Sequence, residues 1–234
     1  MAEPTPERKI VIGLLVFPKI TQLDMTGPFE SFARIPNAEV HLIWKTMDPV
    51  TSDIGLRILP TTTIAECPDL DVICVPGGPG QIQLMDDDEV IRFVRAQGEK
   101  ARYVTSVCTG ALVLGAAGLL DGYEAATHWM SAEQLPLFGA TPVKKRIAVD
   151  RNRITGGGIT AGIDFGLYVA GLLAGEEVAQ RIQLFMEYDP QPPFDSGSPD
   201  RAPAGVVDAV REWGKSMIER RWEASRRAAE KLKL

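Results

Sequence analysis

The sequence predicts an α/β fold with a mainly parallel sheet flanked by helices, followed by a C-terminal helical extension. Short apolar, β-branched runs recur as far as about residue 188, and segments with helical spacing lie between them. Strands that alternate with helices are typical of βα units, which build parallel sheets. We therefore expect one domain over residues 9–195, preceded by a flexible N-terminus (1–8) and followed by a helical tail (196–234).

The predicted strands are runs rich in Val and Ile, as expected for strands buried on both faces. The first covers residues 10–17 and stops at Pro18. Residues 23–28 (LDMTGP) predict a turn, which a short helix at 29–33 follows. Further strands are expected at 40–45, 56–59, 71–75, 102–107, 123–126, 143–149 and 153–154, and further helices at 87–100, 109–117, 163–173 and 177–186.

A proline-rich segment at 189–203 separates this body from the tail. The tail has apolar residues spaced for one helix face, namely Val206, Val210, Trp213 and Met217. It is net basic, although the whole chain carries a net charge of −6. One alternative is a basic helix that docks on the acidic body or on a partner; we favour a solvated helix with one apolar stripe and assign it no catalytic role.

Composition excludes several classes of protein. Hydrophobic residues make up 45% and charged residues 24%, which is ordinary for a globular protein. A pI near 5.1 argues against a nucleic-acid partner. The spacing of the three cysteines is not that of a zinc site, and two histidines are too few for a site with three, so we expect no metal. Unpaired cysteines fit a cytoplasmic location. No apolar run reaches the roughly 18 residues of a membrane span.

The sharpest functional signal is residues 105–111 (TSVCTGA), where a strand runs through small residues into a helix. Cys108 would lie at the carboxyl edge of the sheet, where open α/β sheets bind ligands. N–H groups at a helix start favour a thiolate and can stabilise an anionic intermediate. Cys108 is therefore the candidate nucleophile. The alternative is a small buried structural cysteine, which is the interpretation we favour for Cys67 and Cys74.

Three other candidate segments follow the ends of predicted strands and should lie at the same edge of the sheet. Asp24 follows the first strand and can hold a proton, or else cap a turn. Residues 76–80 (PGGPG) can present N–H groups to an anion, or form a plain tight turn. Residues 155–164 (TGGGITAGID) allow a close backbone approach, or simply connect a strand to a helix.

His128 can pair with Cys108 in catalysis, although we favour a structural or pocket-wall role.

Together these motifs resemble the DJ-1/PfpI superfamily. The resemblance covers roughly residues 9–195 and rests on 22–28 (QLDMTGP), 76–78 (PGG), 105–110 (TSVCTG), 115–120 (GAAGLL), 126–129 (ATHW) and 155–164. Within the superfamily the sequence is similar to isocyanide hydratases. That closer similarity depends on the context of Asp24, the Cys-Thr-Gly elbow and residues 187–194 (EYDPQPPF).

The resemblance implies a flavodoxin-like homodimer with Cys108 as nucleophile and Asp24 in an acidic position often held by glutamate. It implies that the backbone N–H groups of Gly78 and Thr109 are oxyanion donors. The substrate pocket would be lined by Gly77, Thr109, His128, Trp129, Gly157, Gly158 and Ile159. PfpI-type proteases have a histidine directly after the cysteine, and Thr109 stands there instead, which argues against peptidase activity.

The expected reaction is the addition of water to an isocyanide, which gives an N-substituted formamide through a cysteine-bound thioimidate, without a cofactor. Two alternatives use the same cysteine: a glyoxalase- or deglycase-like carbonyl enzyme, and a small-molecule or redox sensor. AraC-type sensors of this superfamily join the domain to a helix-turn-helix region. The residues after Pro190 suggest one helix, which does not fit a two-motif DNA-binding domain.

Overall fold

The computed structural model describes residues 9–233, and the N-terminus that we expect to be flexible lies outside the described residues. The strands are β1 Ile10–Leu15, β2 Ala38–Trp44, β3 Val50–Thr51, β4 Arg57–Ile58, β5 Thr62–Thr63, β6 Val72–Val75, β7 Tyr103–Val107, β8 Glu124–Ala125, β9 Thr141–Pro142, β10 Ile147–Asp150 and β11 Arg153–Gly156. The α-helices are α1 Gln22–Phe32, α2 Gln81–Leu84, α3 Asp88–Lys100, α4 Gly110–Ala116, α5 Ala161–Ala174, α6 Glu176–Phe185 and α7 Ala204–Leu232. Trp129–Phe138 forms a 3₁₀ segment.

The central sheet has the strand order β10-β11-β7-β6-β1-β2-β5. Its neighbours run parallel except for β10, which pairs antiparallel with β11. The residues of β6 are all buried, and those of β1, β7 and β11 nearly so, as in sheets covered on both faces. The predicted fold, an α/β protein with a mainly parallel sheet and a C-terminal helix, is confirmed.

The sheet reverses its strand order between β1 and β6. The chain adds β2 on one side of β1, and then β6, β7 and β11 in succession on the other. This is the flavodoxin-like order, in which ligands bind at the carboxyl ends of the strands beside the reversal. The segments that follow β1, β6 and β7 therefore meet at one edge.

Residues 23–28, predicted to form a turn, belong instead to α1. Pro28 lies inside this helix, where it removes one backbone hydrogen bond. Packing against α5 offsets that loss, because α5 presents Gly162 and Gly166 to Pro28 and a side chain at either glycine would crowd it. The prediction was wrong because tertiary packing outweighed the local preference of proline.

The tail forms α7, which packs along the body through a different face from the one predicted. Trp213 is 88% exposed and Val206 is 47% exposed, so the predicted apolar stripe is wrong for both. The buried positions carry mostly small side chains instead: Gly214, Arg221, Ala224, Ser225, Ala228 and Ala229. Small residues let the helix backbone come close to the body, and a methyl group on Gly214 would crowd Met130.

One close contact fixes α4 on the sheet. Gly110, the first residue of α4, lies so near the carbonyl oxygen of Val75 that any Cβ at this position would overlap it. The contact holds the start of α4 against the end of β6 and beside the end of β7. The residue between β7 and α4 must therefore make a sharp turn.

We expect Gly110→Ala to lower the free energy of unfolding by more than about 2 kcal/mol, because the backbone carbonyl of Val75 cannot move aside without disturbing the sheet. Gly205→Ala is the matched control: Gly205 also lies in the first turn of a helix, but a Cβ there meets nothing within 4 Å. That change should be neutral or stabilise by up to about 1 kcal/mol. Urea unfolding followed by circular dichroism compares them, and equal stabilities would contradict the close-packing account.

Candidate active site

Cys108 occupies the sharp turn between β7 and α4. Its φ of 54° lies in the left-handed region, which costs a non-glycine residue of the order of 1 kcal/mol. Hydrogen bonds on both sides hold it there. The Cys108 N–H donates to the carbonyl oxygens of Gly156 (3.1 Å) and Gly157 (2.8 Å), and its carbonyl oxygen accepts from Thr127 Oγ1 (2.8 Å). The thiol is thereby placed at the sheet edge, where the residue is only 5% exposed.

Asp24 reaches the same place from the first turn of α1 and is fully buried. Its Oδ2 accepts a hydrogen bond from the Gly77 N–H at 2.9 Å. Its Oδ1 makes no hydrogen bond of ordinary geometry to a described residue, although the Cys108 thiol lies close enough to affect the carboxyl pKa. A carboxyl oxygen without a donor beside a buried thiol is arranged to exchange a proton with it.

Burial dominates the proton affinities of this pair. It raises the pKa of Asp24 to about 7, against the opposing effects of the Gly77 N–H and the Cys108 thiol. Burial and then the Asp24 charge raise the pKa of the Cys108 thiol well above its usual value. The Thr109 N–H at the start of α4 lowers the Cys108 pKa, as expected for a helix start, but its effect is smaller. These shifts favour the protonated thiol, and Asp24 lies beside it to accept the proton.

The two predicted oxyanion donors differ in what they face. The Thr109 N–H points to the Cys108 sulfur, whereas the Gly78 N–H donates to Thr109 Oγ1 at 3.1 Å. Gly78 therefore orients the threonine hydroxyl. Gly77 has no room for a side chain, because a Cβ there would lie 2.6 Å from the Thr109 nitrogen and 2.8 Å from Asp24 Oδ2.

His128 lies on the opposite side of the site, next to the glycine-rich segment. A Cβ on Gly158 would lie 3.4 Å from His128 Cδ2. His128 Nδ1 accepts a hydrogen bond from the Met130 N–H (3.3 Å), which places any ring proton on Nε2. Burial, with a contribution from Arg221, lowers the His128 pKa to about 4. His128 is therefore neutral at pH 7 and suits a pocket wall better than a general base.

The remaining predicted pocket residues lie further out. The Trp129 ring stacks beside His128, with ring centroids 5.9 Å apart, and borders a cavity of about 220 Å³ beneath the proline-rich segment. Ile159 is 37% exposed. The Gly157 N–H donates to the Arg146 carbonyl oxygen (2.9 Å), and the Gly157 carbonyl oxygen holds Cys108. The structure thus brings Asp24, Gly77, Gly78, Cys108 and Thr109 into contact and leaves Trp129 and Ile159 at the periphery.

Sequence reasoning missed one charged residue near the site. Arg221 of α7 is 3% exposed, and its charge affects the pKa values of both Cys108 and His128. Its position in a remote helix gave no local signal. One sequence pattern indicates its burial: Arg221 lies three, four and seven residues before the small residues Ala224, Ser225 and Ala228, on the same helix face.

Within residues 9–233, no three His, Cys, Asp or Glu side chains come together in a way that could hold a metal ion. None of the helices in that range has a stretch long and apolar enough to cross a bilayer.

Comparison with known proteins places this arrangement in a class. Residues 9–171 match the DJ-1/PfpI family model, and the chain belongs to that family. The isonitrile hydratase of Pseudomonas putida is 56% identical over 223 residues, which cover 95% of this chain and 98% of that protein. The similarity to this hydratase therefore includes most of α7, beyond the part that the family model matches.

One solved structure and one transcriptional regulator are also similar to this chain. The crystal structure of a ThiJ/PfpI family protein from Pseudomonas syringae superposes with a TM-score of 0.91 at 42% identity, over 96% of this chain and 97% of that one. The HTH-type transcriptional regulator GbdR of Pseudomonas aeruginosa is 30% identical over 187 residues, which cover 76% of this chain but 50% of the regulator. The resemblance to regulators is thus confined to half of their length.

Replacing Asp24 tests its raised pKa. The folded state holds the Asp24 proton up to about pH 7, whereas the unfolded chain releases it near pH 3.8, so this group lowers stability as pH rises between those values. We expect Asp24→Asn to match the wild type below pH 4 and to exceed it at pH 8 by up to roughly 4 kcal/mol. The asparagine Oδ1 can still accept from the Gly77 N–H.

Urea unfolding at a series of pH values measures this difference, with Asp208→Asn as the control. Asp208 is exposed on α7, so its carboxyl stays in water in both states. A difference between Asp24→Asn and the wild type that did not grow with pH would show that folding does not raise the pKa of Asp24.

Proposed function

We propose that this chain is an isocyanide hydratase, which adds water to R–N≡C to give the formamide R–NH–CHO. Isonitrile and isocyanide are names for the same functional group. The observation that carries the proposal is the buried Cys108–Asp24 pair, found in a chain 56% identical over 95% of its length to the isonitrile hydratase of Pseudomonas putida.

The first step suits a thiol and a carboxylate in contact. The terminal carbon of an isocyanide must receive a nucleophile and a proton at the same atom. Asp24 takes the Cys108 proton as the sulfur bonds to that carbon, and the carbon then takes the proton from Asp24. The product is the thioimidate R–N=CH–S–Cys108. A carboxyl with a pKa of about 7 is well matched to both halves of this transfer at neutral pH.

The second step releases the product. Water adds to the thioimidate carbon, the nitrogen takes one proton, and the C–S bond breaks to give the formamide and the Cys108 thiol. One water is consumed and the oxidation state of the carbon is unchanged, so the reaction needs no electron acceptor. The Thr109 N–H, which faces the sulfur, stabilises negative charge on it as it leaves.

The substrate side group would lie between the glycine-rich segment and the 3₁₀ segment. We assign the pocket wall to Gly77, Thr109, His128, Trp129, Gly157, Gly158 and Ile159. We also assign the Gly78 N–H, which bonds Thr109 Oγ1 in this structure, as a second donor to the substrate. A neutral His128 supports this assignment, because an uncharged wall suits an uncharged isocyanide.

We also propose that the protein is a homodimer. Large apolar side chains that lie on the surface of the single chain support this: Leu184 (81% exposed), Phe185 (74%), Phe194 (77%) and Trp213 (88%). Sedimentation equilibrium should give twice the chain mass of 25.5 kDa. A mass of one chain at micromolar concentration would contradict the proposal.

Formamide production tests the nucleophile. With a simple alkyl isocyanide, the wild type should turn over, and Cys108→Ala should fall to the uncatalysed rate because no covalent adduct can form. Cys74→Ala is the control, since Cys74 is a second buried thiol, on the adjacent strand β6. Equal rates for the wild type and Cys108→Ala would reject Cys108 as the nucleophile. Loss of methylglyoxal without isocyanide turnover would favour a carbonyl enzyme instead.

The proton relay predicts a pH profile. Because ionised Asp24 is the form that accepts the thiol proton, kcat/KM should rise with pH through about 7. Asp24→Asn should lower kcat/KM by at least about 100-fold and abolish that rise. A variant with the wild-type rate would assign the proton transfer to another group.

A further inference from the structure

Arg221 differs from the other basic residues of α7 in its burial and in its hydrogen-bond partners. Other basic residues of this helix pair with carboxylates at the surface, as Arg227 does with Asp86 and Lys231 with Asp88. Arg221 is 3% exposed and donates instead to two neutral groups, Gln81 Oε1 (2.9 Å, from Nε) and Ser131 Oγ (3.0 Å, from Nη1).

A buried guanidinium without a carboxylate is costly, because neutral acceptors do not balance its charge. Among residues 9–233, Arg221 forms no ion pair with Asp or Glu, and the acceptors of its side-chain hydrogen bonds are Gln81 Oε1 and Ser131 Oγ. Burial lowers the pKa of Arg221, and the opposing contribution comes from Cys108. Cys108, at the active site, is therefore the ionisable group whose negative charge would balance that of Arg221.

The two partners of Arg221 belong to the walls of that site. Gln81 begins α2 directly after the glycine turn that holds Asp24. Ser131 lies in the 3₁₀ segment, three residues after His128. Arg221 thus ties α7 to both walls through its side-chain hydrogen bonds.

We propose that Arg221 is a positioning residue that stabilises the Cys108 thiolate formed during turnover, so that α7 completes the active site. This inference rests on the proposed hydratase function for its meaning in catalysis. Its test on the thiol itself does not depend on that function.

The other titratable groups around the active site do not supply this positive charge. Asp24, from α1, adds negative charge and opposes thiolate formation. His128, from the 3₁₀ segment, is neutral because its pKa is about 4. Cys74, on β6, stays a thiol because burial raises its pKa to about 12. Arg221 is the cation near Cys108 in the described part of the chain.

The first test removes the charge. The rate of Cys108 alkylation by iodoacetamide as a function of pH reports the thiolate fraction. Arg221→Gln should shift this profile upward by at least about one pH unit, which means a roughly tenfold slower reaction at a fixed pH below the transition. Arg221→Lys should restore part of the shift. Arg220→Gln is the matched control, because Arg220 is exposed and bonds Ser216 on its own helix.

The second test keeps the arginine and cancels its charge. Gln81→Glu preserves the shape of the partner and the hydrogen bond from Arg221 Nε, but supplies the missing carboxylate. It should shift the alkylation profile in the same direction as Arg221→Gln and lower kcat more than it raises KM. A purely structural arginine would tolerate this change, or gain stability from the ion pair.

The two variants together decide the matter. If Arg221→Gln fails to fold, Gln81→Glu alone tests the charge. A wild-type alkylation profile in folded Gln81→Glu, or in folded Arg221→Gln, would overturn the proposal and leave Arg221 as a packing residue. If both variants show the expected shifts in the alkylation profile but the wild type turns over no isocyanide, the hydratase function is rejected and the role of Arg221 stands.

Discussion

The buried contact between the Cys108 thiol and the Asp24 carboxyl is the constraint around which this active site is organised. Two acidic groups out of water cannot both ionise cheaply, so they compete for a proton. Such a pair disfavours a resting thiolate but suits proton transfer, because Asp24 lies beside the thiol to accept the proton that leaves the sulfur. The addition of H and S to a single isocyanide carbon requires that kind of relay.

The fold keeps this pair in place through backbone contacts. Parallel strands β1, β6 and β7 end at one edge, and the segments that follow them bring Asp24, Gly77 and Cys108 together. The strained φ of Cys108 is held by the carbonyl oxygens of Gly156 and Gly157 at the end of β11, and the close approach of Gly110 to Val75 fixes the start of α4. Backbone contacts therefore position the sulfur, together with the hydrogen bond from Thr127 Oγ1 to the Cys108 carbonyl oxygen.

Sequence reasoning located Cys108, Asp24 and the PGG turn because each follows an apolar strand, and strand ends meet in space in a parallel sheet. It missed the helical course of residues 23–28, which depends on packing against α5. It also missed Arg221 and could not assign the neutral state of His128. Both depend on burial between segments that are distant in the chain, and no local pattern encodes that.

The most direct test of the account is to look for the covalent intermediate. The enzyme would be mixed with excess alkyl isocyanide, quenched in acid after milliseconds to seconds, and measured by intact-protein and peptide mass spectrometry. The account predicts a transient mass increase equal to that of one isocyanide, located on Cys108, which disappears as formamide forms. Formamide released in the first turnover with no adduct at any time, or with the adduct on Cys67 or Cys74, would contradict it.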